Sequence, residues 1–320
     1  MDLNDKEIID DEITQEDIDL MMQVLVENEE DLFIEFFRDN MEELERRIEV
    51  AYNSASEIYA GDTEFEDYYS LTDTLELVYE FLDSLNPKYR KEFDRLFISG
   101  EMDILSEHDI DDEPYVDMET FKEKNLLNIH IPLDHNLYDV YSFVHEFFHT
   151  TNCYEDENTD KQFLSEMVPI FYEFLLFDFL RTKEVNQLEN NRCIDERIGV
   201  FLDTAFDLNE MIFTMKEALK EMNLDYEERT PEDTERLRFL MEDDIKYFLA
   251  ITTAIYEYYE YKNGGISLKN IDEFNKKLNR LDDFDSLNYI LRKDDIEDED
   301  IVKSIEYLGG QLKSNMSMKR

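Results

Sequence analysis

Residues 136–149 read NLYDVYSFVHEFFH. Its last five residues form the pattern His-Glu-x-x-His, in which His145 and His149 flank Glu146. On a helix, residues four apart project from the same face, so both imidazoles can reach one metal ion. Glu146 would then lie beside the open position of the metal, where it can take a proton from bound water. The pattern predicts a zinc-dependent hydrolase.

The surroundings of the two histidines favour this interpretation over that of two surface histidines on a solvated helix. Only five histidines occur in the 320 residues, so the pattern is uncommon by chance. Buried histidines need partners, and a metal ion satisfies two at once. Bulky apolar and aromatic residues surround the pair and predict a largely buried helix: Tyr141, Phe143, Val144, Phe147 and Phe148.

Catalytic zinc needs a third protein ligand, with the fourth position left to water. Residues 163–174, FLSEMVPIFYEF, supply a candidate, because Glu166 and Glu173 are seven apart on one face of a predicted apolar helix. An unpaired buried carboxylate is costly, so both should meet a cation or an imidazole. We assign Glu166 as the third ligand and Glu173 as a support that orients a ligand. The alternative is that both carboxylates face solvent.

A di-iron carboxylate site is the competing metal centre, because Glu146-x-x-His149 also satisfies its Glu-x-x-His element. That site requires a second such element on another helix. None of the other histidines has a glutamate three residues before it. The sequence therefore favours a single-zinc site.

Residues 136–149 resemble the active-site helix of the oligopeptidase F and thimet oligopeptidase family of zincin metallopeptidases. The segment from Glu166 to Glu173 is similar to the third-ligand helix of that family, and residues 256–264, YEYYEYKNG, to its tyrosine-rich helix. This chain departs from the family in carrying Phe148 where glycine is usual, in a shorter link from His149 to Glu166, and in a smaller N-terminal part.

The resemblance implies a zinc metallopeptidase of gluzincin type, with one Zn²⁺ per chain on His145, His149 and Glu166. Its substrates would be short unfolded peptides, and Glu146 would act as general base on zinc-bound water. A tyrosine hydroxyl usually assists the developing oxyanion. Tyr259 and Tyr261 are the candidates for this role, and the alternative is that they are core or interface tyrosines.

The strong negative charge limits the possible partners. Asp and Glu number 82 against 32 Lys and Arg, a formal net charge of −50. Such a surface repels nucleic acid and anionic membranes, so we expect neither as a partner. The charge is explained most simply by solubility. The alternative function is a catalytically inactive, zincin-like acidic protein that binds a partner or mimics DNA.

Composition also bears on the compartment. Two cysteines, Cys153 and Cys193, predict no disulfide framework, and the first residues lack a basic, apolar signal peptide. We therefore expect a cytoplasmic protein. The sequence leaves the oligomeric state open.

The expected fold is mainly α, a zincin-like helical metallopeptidase with a small edge-strand element before the active-site helix. Glycine and proline are scarce, with only seven Gly and five Pro in the chain, and this scarcity favours long helices. Three regions are expected: an acidic tail (1–15), an N-terminal helical region (16–120) and a zincin-like catalytic domain (121–320). Helices are predicted at about 15–60, 71–97 with a break at Asn86-Pro87, 137–149, 161–180, 194–222, 231–261, 267–281 and 298–314.

Residues outside these helices fall into two predicted segments. Residues 98–119 are acidic and are expected to form a loop that contains the surface residue His108. Residues 126–133, LLNIHIPL, form the best strand candidate, and their proline places them at a sheet edge. His130 and His135 could touch substrate, although solvated loop positions are the simpler interpretation.

Overall fold

The computed structural model of the protein describes residues 32–61, 65–105, 114–117, 128–152, 166–220, 231–278 and 296–317. Several sequence predictions lie outside these residues: the acidic tail, the start of the first helix, residues 161–165, His108 and Cys153.

The described part of the chain is mainly helical, which confirms the predicted fold class. The helices are α1 Leu32–Ser56, α2 Leu71–Leu85, α3 Pro87–Ser99, α4 Tyr138–Asn152, α5 Met167–Leu180, α6 Gln187–Lys220, α7 Pro231–Asn263, α8 Leu268–Leu278 and α9 Asp298–Ser317. The strands are β1 Met102–Leu105, β2 Tyr115–Asp117 and β3 Asn128–Pro132. No helix in these ranges is long and apolar enough to cross a membrane.

The break predicted at Asn86-Pro87 is confirmed. α2 ends at Leu85, and the Asn86 side chain caps α3 by accepting a hydrogen bond from the Lys88 backbone amide. Pro87 follows at the first helical position, where its missing N–H costs nothing. α3 ends at Ser99 and is followed by Gly100, whose φ of 77° is a left-handed conformation that glycine adopts without strain.

α5 is the central helix of the core. All of its residues except Asp178 and Phe179 are buried, as expected for a helix that is apolar on every side. It packs against α4, α6 and α7. The charged side chain of Glu173 on α5 therefore meets groups of the neighbouring helices rather than water.

The strand predicted before α4 is present as β3, but the predicted position at the edge of the sheet is wrong. β3 is the central strand, parallel to β1 and antiparallel to β2. The backbone amide of Ile129 donates to Glu101, just before β1, and the amide of Leu133 donates to Leu105 in β1. By the alternation of a strand, Pro132 therefore turns its nitrogen away from β1. Within the described residues the pairing with β2 ends at His130, so Pro132 takes no part in it.

Two further predictions of secondary structure are corrected. Residues 98–119 were expected to be a loop, yet they include β1 and β2, because these short acidic strands are stabilised by pairing with β3 rather than by their own pattern. α6 begins at Gln187 instead of Ile194. The Asn186 side chain accepts a hydrogen bond from the Leu188 amide and caps a first turn whose polar residues hid the start of the helix.

Candidate metal centre

The start of α4 is fixed by side-chain capping. The amide oxygen of Asn136 accepts a hydrogen bond from the Tyr138 backbone N–H at 2.7 Å, as expected of a residue that caps the start of a helix. The Asp139 carboxylate accepts hydrogen bonds from the backbone amides of Asp134 and His135, each at 3.0 Å. These bonds hold His135 at a φ of 58°. The helix therefore enters the core in a defined orientation, with His145 about two turns and His149 about three turns further on.

The structure brings His145, His149 and Glu166 together. The two Nε2 atoms are 3.0 Å apart, and the Glu166 carboxylate lies 3.0 Å from His145 Nε2 and 3.1 Å from His149 Nε2. In a tetrahedral zinc site with bonds of ~2.0–2.1 Å, two ligand atoms are about 3.3 Å apart. Two imidazoles and a carboxylate at nearly this spacing could hold a metal ion.

Glu146 lies beside this cluster. Its carboxylate and the ring nitrogens of His145 and His149 fall within 4.8 Å of one another. The side chain is buried, and burial raises the pKa of the Glu146 carboxyl above its usual range, against the opposing effect of the two histidines. A carboxyl group with a raised pKa accepts a proton more readily near neutral pH, which is the property of a general base.

The charges of the cluster favour a cation between its members. Burial by itself would raise the pKa of Glu166, but the imidazoles of His149 and His145 hold it well below its usual range. Burial also opposes protonation of His145, yet the carboxylates of Glu166 and Glu173 raise its pKa to about 10. Positive charge is thus attracted to the space between these groups, where a divalent metal ion can replace the proton.

Glu173 contacts the other nitrogen of the His145 ring. Its Oε1 lies 2.5 Å from His145 Nδ1, so an Nδ1–H can donate to it while Nε2 faces His149 and Glu166. The Glu173 side chain is only 3% exposed. Burial would raise its pKa, but Arg197 and His145 together lower it, so the group remains a carboxylate.

Two residues in this network were missed from the sequence. Arg197 on α6 donates to Glu173 through Nε at 3.0 Å and through Nη2 at 2.6 Å, and through Nη1 to the hydroxyl of Tyr247 on α7. A signal for Arg197 was present, because it occupies an apolar stripe with the buried residues Ile194 and Phe201. Tyr247 had no such signal among 19 tyrosines.

Phe148, which stands where the resembling family carries glycine, is part of the core. Its ring lies 3.5 Å from that of Tyr172 with an interplanar angle of 5°, and 5.4 Å from the Tyr89 ring. The side chain is fully buried. It therefore joins α4 to α5 and α3, while His149 beside it makes the contacts with His145 and Glu166.

Replacing Phe148 with alanine is expected to lower the free energy of unfolding by about 3–5 kcal/mol, because it removes a buried aromatic ring and leaves a cavity. Urea denaturation measures the loss. The same substitution at Phe213, which is 60% exposed, is the control and should change stability little. A loss at Phe148 no larger than at Phe213 would contradict the core assignment.

The remaining predicted residues have other surroundings. The Tyr259 ring packs on Tyr307 of α9 at 5.5 Å between centroids, and the Tyr261 ring on Phe171 at 5.9 Å. His130 lies 3.6 Å from Asp103 on the neighbouring strand. His135 stacks on Tyr68.

Comparison with known proteins gives little further information. No protein-family profile matches the chain, and no curated protein does. The chain is similar to a solved structure described as "putative peptidase from Chlamydophila abortus", with 15% sequence identity and a TM-score of 0.45. The match covers 86% of this chain and 55% of that one, so the chain spans about half the length of its neighbour. The likeness is too remote to assign a function, which is inferred below from the site.

Proposed function

We propose that the protein is a zinc-dependent metallopeptidase of gluzincin type that hydrolyses short unfolded peptides. The observation that carries the proposal is the cluster of His145 Nε2, His149 Nε2 and the Glu166 carboxylate at 3.0–3.1 Å, with buried Glu146 beside it. These three residues would hold one zinc ion. The proposal also includes the division into an N-terminal helical region (16–120) and a catalytic domain (121–320). It includes a cytoplasmic location as well.

The chemistry follows from the residues in place. A bound zinc ion would polarise the peptide carbonyl and acidify a water molecule. Glu146 takes the proton of the attacking water and then delivers it to the leaving amine. Its raised pKa suits both transfers, because the same group must accept and release a proton at the same pH. Glu173 holds the His145 ring so that Nε2 is the ligand atom.

A hydroxyl donor to the developing oxyanion completes the proposed mechanism. Tyr259 and Tyr261 remain candidates for this role. Tyr247 is a third, favoured by its position: its hydroxyl accepts a hydrogen bond from Arg197, which leaves the phenolic proton free to donate. Burial raises the pKa of Tyr247, Arg197 opposes this effect, and the negative charge of Glu166 adds to the rise.

The test is metal analysis of the purified protein followed by a quenched fluorescent peptide library. We expect close to one zinc per chain, and cleavage that a chelator abolishes and added zinc restores. The acidic surface should favour peptides with Lys or Arg. If the protein holds no zinc and cleaves nothing after zinc is added, the proposal is wrong and the acidic binding function becomes the better hypothesis.

A further inference from the structure

We propose that Arg197 is a positioning residue of the metal centre, which sets the orientation of His145 by holding the carboxylate of Glu173. The inference rests on the proposed function, since it concerns the same site. It assigns Arg197 no contact with substrate, because each of its nitrogens already has a partner: Nε and Nη2 on Glu173 and Nη1 on Tyr247.

The contacts define one continuous chain from α6 to the metal-binding face of α4. Nη2 of Arg197 and Nδ1 of His145 approach the same oxygen, Oε1 of Glu173, at 2.6 and 2.5 Å. Nε of Arg197 binds the second oxygen. A guanidinium that hydrogen-bonds to both oxygens of a carboxylate fixes the plane of the carboxylate as well as its position. The oxygen that receives the His145 proton is therefore held in place.

The orientation of His145 depends on that oxygen. A ring that donates Nδ1–H presents the lone pair of Nε2, and Nε2 is the atom that faces His149 and Glu166. Without Arg197, the flexible Glu173 side chain would keep one buried partner and could change rotamer. The His145 ring would then be free to turn, and the three ligand atoms would no longer be preorganised at zinc spacing.

A plain structural role is the competing explanation, because a buried carboxylate needs a cation for stability alone. Arg181 offers a matched control. Its side chain is 14% exposed against 13% for Arg197, and it also bridges helices, through hydrogen bonds to Gln311 and Ser314 of α9. If burial of an arginine were all that mattered, Arg181→Lys and Arg197→Lys would have similar effects on the metal centre.

The experiment measures zinc affinity by competition with a chelator, on full-length variants whose metal-free fold is first checked by circular dichroism. Loss of a residue that orients a metal ligand typically weakens metal binding by about 10–100-fold. We expect a loss in this range for Arg197→Met and a loss of about 10-fold for Arg197→Lys, since lysine cannot grip both oxygens. Arg181→Lys should leave zinc affinity unchanged. If Arg197→Met does not fold, Arg197→Lys decides the question.

A double-mutant cycle tests whether Arg197 acts through Glu173. In a Glu173→Gln background, Arg197→Lys should cost little additional zinc affinity, because the group it positions has already been changed. Additive losses, or a loss for Arg197→Lys no larger than for Arg181→Lys, would overturn the inference. The proposed function fails differently: the unchanged protein itself would then bind no zinc.

Discussion

Replacing Glu146 with glutamine is expected to lower kcat for peptide hydrolysis by about 10³-fold, within the range of 10²–10⁴ that a general acid–base group contributes. Glutamine has nearly the same shape but cannot take a proton from water or return one to the leaving amine. The zinc content should remain at one per chain, because His145, His149 and Glu166 make the short mutual contacts and are unchanged. Rates on a quenched fluorescent peptide and metal analysis of the same sample measure the two effects.

The control for this prediction is the same substitution at Glu42, which is exposed on α1. Glu42→Gln removes an equal charge from an already acidic surface and should leave both kcat and zinc content unchanged. If Glu146→Gln kept a tenth or more of the activity, Glu146 would not be the base. If it lost its zinc instead, Glu146 would be a ligand, which its position within 4.8 Å of the two histidine nitrogens makes a real alternative.

The helices were predictable because their information is local. The spacing of His145 and His149 places both imidazoles on one face whatever the rest of the chain does. The seven-residue spacing likewise puts Glu166 and Glu173 on the same side of their segment. In the structure the Glu166 carboxylate contacts Nε2 of the His145 ring, and the Glu173 carboxylate contacts Nδ1. Local chemistry also gave the break at Asn86-Pro87.

The sheet and the outer part of the site were not predictable, because they depend on pairing between distant residues. β1 and β2 are four and three residues long, and each carries an aspartate. Their pattern does not differ from that of a loop, and only the register with β3 makes them strands. Arg197 binds Glu173, and Tyr247 binds Arg197, because α6 and α7 both pack against α5. The spacing of residues along the chain does not reveal this packing.

The largest effect on the metal is expected from Glu166→Gln. Substituting a residue that only supports a ligand weakens metal binding by up to ~100-fold, and the loss of a ligand such as Glu166 should weaken zinc binding by more than that. The carboxylate brings one oxygen to His145 Nε2 and the other to His149 Nε2. Glutamine places a neutral amide there, and its NH₂ group can only donate. The variant thus loses both a ligand atom and the negative charge that draws a cation between the two imidazoles.

Thermal unfolding with and without zinc gives the readout, together with chelator competition. At a zinc concentration 1,000 times Kd, binding stabilises the native state by ~4.1 kcal/mol, so the unchanged protein should melt at a distinctly higher temperature with zinc than with chelator. A loss of more than 100-fold leaves that zinc concentration at less than 10 times Kd, where binding adds less than about 1.4 kcal/mol. Glu166→Gln should therefore lose most of the zinc-dependent rise in melting temperature. Glu101→Gln is the control, because Glu101 is also a glutamate shielded from solvent and paired with a cationic side chain, here Arg95, far along the chain from the motif. It should lower the melting temperature and yet keep the full zinc-dependent rise. A full rise in Glu166→Gln would contradict the assignment, and Glu146 would then be the remaining carboxylate within reach of both histidines.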